Sequence, residues 1–153
     1  MSNGKDKILM CPPDYFTVDY VINPWMAGNE GGMSLALAKQ QWTELRDAIS
    51  EYAEVVTIEP QPELPDMVFT ANAGVVYDNK AIASHFMPME RRPEELHFKA
   101  WFRENGFDLL ALDEKIGFEG AGDCLHDRRG PWLWTGYGFR TEIEAHQAIQ
   151  DFF

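Results

Sequence analysis

A chain of 153 residues, 45% hydrophobic and 13% aromatic, has ample apolar mass for a packed core and lies far from the composition of disordered chains. Its 25 acidic and 13 basic side chains give a formal net charge of -12, a field that repels phosphate backbones and anionic lipid and attracts cations, so neither nucleic acid nor membrane is expected as a partner. Cys11 and Cys124 lack metal or redox spacing, the N-terminus is too polar for a signal-peptide core and no run suffices to span a bilayer, which predicts a soluble protein of the reducing cytoplasm.

Residues 7–11 read as a short buried strand stopped by Pro12 and Pro13. Gly31 and Gly32 lead into a helix whose apolar residues, Leu35, Ala38, Trp42, Leu45, Ile49 and Tyr52, fall three and four apart. Residues 54–58 are β-branched and form the next strand, and Pro60, Pro62 and Pro65 punctuate a loop. A second block begins at residues 67–69, continues as a strand at 74–77, turns at Asp78-Asn79 and returns through residues 80–84. Its helix has Pro93 at the first position, Glu94 and Glu95 in the first turn and a stop at Gly106, and residues 107–112 form the closing strand. A third block repeats the plan, with strands at 123–126 and 132–135 around a turn at 127–130, then a helix opened by Thr141 with Glu144 as its capping box. The final Asp151-Phe152-Phe153 has two large apolar side chains and no stop signal, as a cut through a continuing fold would leave. One partial domain over residues 1–153 is therefore predicted, with repeats at 1–60, 61–113 and 114–153, the last incomplete.

Four segments place polar residues where strands give way to glycine-containing loops: INPWM (22–26), PDMVFTANAG (65–74), FEGAGD (118–123) and GYGFRT (136–141). Taken singly each is weak, because an acidic residue in a glycine turn is more often a loop cap, and an arginine beside aromatics more often a surface ion pair. As a set, together with CPPDYFTVDYVINPWM (11–26) and WTGYGFR (134–140), they resemble the guanidino-group-modifying enzymes. That superfamily of five-bladed α/β propellers includes arginine deiminases, dimethylarginine dimethylaminohydrolases and amidinotransferases, and the likeness is greatest to the arginine dihydrolases.

The resemblance implies an α/β fold, a partial pentein-type propeller of ββαβ repeats with about two and a half of five blades, forming the N-terminal half of a hydrolase. The reaction it implies takes arginine to ornithine, ammonia and carbon dioxide. Arginine deimination, dimethylarginine hydrolysis and amidino transfer are the alternatives, and a non-catalytic arginine-binding or interaction module is the alternative from another class.

The residue roles follow from the same likeness. Glu119 is the catalytic carboxylate that holds the planar guanidinium, Arg91 and Arg140 meet the substrate α-carboxylate, and Asn23 and Asn72 are further substrate contacts. Asp66 and Asp123 organise their loops. Deiminases generally carry an aspartate where this chain has Asn72, and an amide, which both accepts and donates, suits a neutral ureido group as well as a cation. The nucleophilic cysteine and proton-shuttling histidine of the family are expected beyond Phe153, with Cys11 and Cys124 inert core thiols. His85, His97, His126 and His146 show no ligand spacing, so neither metal nor cofactor is expected. A homo-oligomer formed through the exposed edge of the third block is one further expectation.

Overall fold

The computed structural model describes residues 6–153 and separates the chain into two compact units, one running to Thr70 and the other Ala71–Phe153. In the first unit, strand β1 (Lys7–Met10) lies parallel to β2 (Glu54–Thr57), with Ile8 opposite Val55 and Leu9 opposite Val56. Parallel neighbours need a crossover, and helix α1 (Leu35–Ser50) supplies it, opened by Ser34, whose hydroxyl accepts from the Leu37 N–H at 3.3 Å.

Two expectations for this unit are corrected. Strand β1 is largely open to water, because a two-stranded sheet cannot cover its outer residues, and burial begins only at Met10 and Cys11. Tyr52 lies past the end of α1 and is 81% exposed, and no residue of the helix is buried. Where the second block begins, Pro65–Val68 is a 3-10 turn in which the Asp66 carbonyl accepts from the Phe69 N–H at 3.0 Å. Proline at its first position has no N–H to give a ladder, which favours that turn.

The second unit opens with the antiparallel hairpin β3 (Gly74–Tyr77) and β4 (Lys80–Ala83), whose turn residue Asp78 takes φ 52°, a conformation that Asp and Asn tolerate. Helix α2 (Glu94–Glu104) buries Phe98 and Phe102 and returns the chain to β5 (Asp108–Ala111), parallel to β4. The order β3-β4-β5 makes one complete ββαβ module. His85 and Phe118 then exchange N–H···O bonds, both 2.9 Å, tying the end of β4 to the glycine loop that follows β5.

Hairpin β6 (Cys124–His126) and β7 (Leu133–Thr135) and helix α3 (Ala145–Phe152) complete the unit. Val75, Ile82, Phe118, Cys124, Ala145 and Ile149 form its core, so sheet, hairpin and α3 share one apolar interior. The expected capping box is absent: α3 starts at Ala145 with no side-chain cap, because the buried Thr141 hydroxyl is engaged in the glycine loop instead. The fold is mixed α/β. Among the described residues no sheet closes on itself, and no helix is long and apolar enough to cross a membrane.

Candidate functional site

The glycine loop fixes the position of Glu119. Glu119 directly follows the bridged Phe118, and its own N–H donates to the Thr141 hydroxyl at 3.4 Å. That hydroxyl donates in turn to Asp123 Oδ2 at 2.8 Å, which gives Asp123 a loop-bracing position. Between them Gly120 adopts φ +55°, and a β-carbon there would stand 2.6 Å from the Gly74 nitrogen, so only glycine lets the loop lie against the start of β3. Glu119 is consequently 4% exposed and held on a braced turn.

Asn72 reaches the same turn from the segment before β3. Its Nδ2 donates to the Glu119 carbonyl at 3.4 Å, and its Oδ1 accepts from Arg91 Nη1 at 3.3 Å. A β-carbon at Gly122 would collide with Nδ2, so the second glycine of the loop makes room for this amide. Arg91 is buried, its Nε and Nη2 donating to the two oxygens of Glu94 at 3.0 and 2.8 Å and its guanidinium stacked 4.2 Å over the Phe86 ring. On the other side Arg140 Nε lies 3.7 Å from Glu119 Oε2, with the Arg140 side chain 34% exposed.

Asn72, Arg91, Glu119 and Arg140 thus form one connected set within the second unit. A surface ion pair is ruled out for Arg91, which lies in the interior with its charge balanced by Glu94. Glu119 already faces a guanidinium of its own chain, the same chemical group a guanidino substrate carries. The other two residues belong to the first unit. Asn23 Oδ1 accepts from the Trp25 and Met26 N–H groups, both at 3.1 Å, closing a local turn, and the buried Asp66 accepts from the Tyr20 hydroxyl at 2.9 Å.

Sequence inspection assigned Glu94 and Glu95 to the helix dipole and missed their contacts. Arg91 and Glu94 stand three residues apart, a spacing that brings side chains together on a helical turn and would have flagged the pair. Glu95 accepts from the Phe86 N–H at 2.9 Å and Lys99 Nζ at 2.7 Å, and lies 3.1 Å from His85 Nδ1. Burial works to raise its pKa, but Lys99, the Phe86 N–H and His85 together outweigh burial and hold it below its ordinary value. Cys124 is fully buried, and burial pushes its thiol pKa up, against the contact with the Thr135 hydroxyl at 3.4 Å. That withdraws the thiolate a nucleophile needs.

No family model matches the chain. It is 53% identical over 143 residues to the bifunctional arginine dihydrolase/ornithine cyclodeaminase ArgZ of Synechocystis sp., a match that takes in 94% of this chain and 20% of that protein. It is 36% identical over 141 residues to the N(G),N(G)-dimethylarginine dimethylaminohydrolase of Mycobacterium tuberculosis, with 92% of this chain and 45% of that protein covered. Its fold superposes with a TM-score of 0.93 on the crystal structure of the substrate-bound N-terminal domain of ArgZ, an arginine dihydrolase from the ornithine-ammonia cycle in cyanobacteria, at 52% identity over 95% of this chain and 54% of that one. The chain spans about half or less of the length of these relatives. In sequence and in fold it is a homologue of guanidino-group-modifying enzymes, with arginine dihydrolases among its relatives.

Proposed function

We propose that this chain is the substrate-gripping part of a hydrolase that acts on the guanidino group of L-arginine and yields ornithine, ammonia and carbon dioxide. The observation that carries the proposal is the connected set of Arg91, Asn72, Glu119 and Arg140, one carboxylate and one amide between two cations. Glu119 holds the planar guanidinium, because a carboxylate offers oxygens to two of its N–H groups in one plane. Arg140, the more exposed cation, meets the substrate α-carboxylate together with Arg91. Asn23 is a further substrate contact on the resemblance alone. On this reading the thiol that attacks the guanidinium carbon and the imidazole that shuttles protons are supplied by another part of the natural polypeptide, since Cys11 and Cys124 are both fully buried. With this goes a partial pentein-type propeller of about two and a half blades, working in the cytoplasm and able to form a homo-oligomer.

Arginine turnover by this chain, with and without the separately supplied remainder of its natural polypeptide, tests the proposal. Activity is expected only for the combination, and turnover by the isolated chain overturns it. In the natural polypeptide, Asn72→Asp is expected to release citrulline, and the dihydrolase assignment fails if ornithine remains the only product. Similarity to a dimethylarginine dimethylaminohydrolase favours a second reading, hydrolysis of dimethylarginine. A preference for dimethylarginine over arginine in the same assay would select it.

A further inference from the structure

We infer that Glu94 is a positioning residue that, through Arg91, sets the side-chain amide of Asn72 and so governs whether a neutral ureido group is accepted after the guanidinium. This inference rests on the arginine hydrolase proposed above. Arg91 carries only donors and a backbone carbonyl only accepts. One amide orientation therefore satisfies both neighbours of Asn72, with Oδ1 on Arg91 and Nδ2 on the Glu119 carbonyl. Of the two donors and two lone pairs of a primary amide, these bonds use one each, leaving one N–H and one oxygen lone pair.

Hydrolysis of a guanidinium releases one nitrogen as ammonia and puts a carbonyl oxygen from water in its place. A group that faced an N–H donor in the first substrate faces an acceptor in the second. A carboxylate can only accept, whereas the remaining lone pair and N–H of Asn72 serve both. The amide keeps this presentation only while Arg91 and the Glu119 carbonyl hold it, and Glu94 fixes the Arg91 fork. Completely buried, Glu94 grips Arg91 through both oxygens, and stacking on Phe86 fixes the plane of the same guanidinium. Glycine at position 122 leaves room for Nδ2 in this pose.

The natural polypeptide that contains these residues is assayed with arginine and, separately, with citrulline. Glu94→Gln breaks the fork. The double variant Arg91→Met with Glu94→Leu replaces the buried ion pair by apolar groups, a change that such sites often tolerate without loss of folding. Both are expected to lower kcat for citrulline about tenfold more than kcat for arginine, the effect of losing one oriented hydrogen bond, and to release citrulline during arginine turnover. KM for citrulline should change less than kcat, and Glu94→Asp, which keeps the carboxylate, should partly restore ornithine formation. A merely structural role would lower both activities in proportion. Either variant, shown folded by circular dichroism, with the wild-type ratio of citrulline to ornithine overturns the inference. A wild-type protein that leaves arginine untouched overturns the functional proposal and this inference together, a result distinct from an unchanged ratio.

Discussion

The glycine loop at Glu119 and the hairpin β6–β7 are neighbours in sequence and opposites in environment. Around the loop, charged groups lie inside: Glu119, Arg91 and Glu94 are buried, each with partners. On the hairpin, apolar groups lie outside: Trp132 and Trp134 are about two-thirds exposed, at 67% and 66%. They border a cleft of about 740 Å³ lined also by Tyr77, His126 and Phe153. The hydrophobic effect alone would sort these groups the other way. Buried charges persist because Arg91 and Glu94 satisfy one another in a forked geometry, and losing either removes an opposite charge held in the interior beside the other. An exposed aromatic patch needs no such partner, and its removal changes little within the chain.

The largest effect should come from splitting that buried pair. Glu94→Ala leaves Arg91 buried without its carboxylate, and a loss of about 3–5 kcal/mol is expected from the urea unfolding midpoint. A variant as stable as the parent would show that Arg91 escapes to water. Next, Gly120→Ala places a β-carbon against the Gly74 backbone at positive φ. The left-handed conformation alone costs about 1–2 kcal/mol, and the collision adds to it, so a lowered melting temperature with disturbed Asn72 and Glu119 resonances is expected.

A subtler break concerns Glu95. Its folded pKa lies below the ordinary 4.5, so its contribution is fully present above that pH and is lost as pH falls through the folded value. Glu95→Gln should flatten the decline of the melting temperature below about pH 4.5, and an unchanged acid limb would show that the His85 and Lys99 contacts contribute nothing there. The smallest effect belongs to the hairpin. Trp132→Ser should shift stability by about 0.5 kcal/mol or less while reducing the binding of a hydrophobic dye. A large destabilisation would show that the patch is part of the core.

Helices α1 and α2, the Asp78 turn and the stops at Gly106 and Pro12 were legible because each rests on a few adjacent residues, whether through periodicity, a φ preference or a missing N–H. The four-residue set Asn72, Arg91, Glu119 and Arg140 was legible only as a resemblance, since nothing local to Arg91 distinguishes a buried ion pair from a surface one. Thr141 shows the limit most clearly. Followed three residues later by Glu144, it has the pattern of a capping box, yet its hydroxyl serves Asp123 and the Glu119 N–H, 18 and 22 residues away in sequence.

By itself, then, the sequence determined most of the helices, strands and turns, and it marked Glu119, Asn72, Arg91 and Arg140 as groups of the right chemistry for a guanidino substrate, because those properties belong to residues and their near neighbours. Tertiary structure decided which of those groups share a hydrogen-bonded set, that the Arg91–Glu94 pair is buried, and that Asn72 presents its amide in one orientation. Such pairings join residues 19 and 47 positions apart, from Arg91 to Asn72 and from Asn72 to Glu119, and only packing brings them within hydrogen-bonding distance.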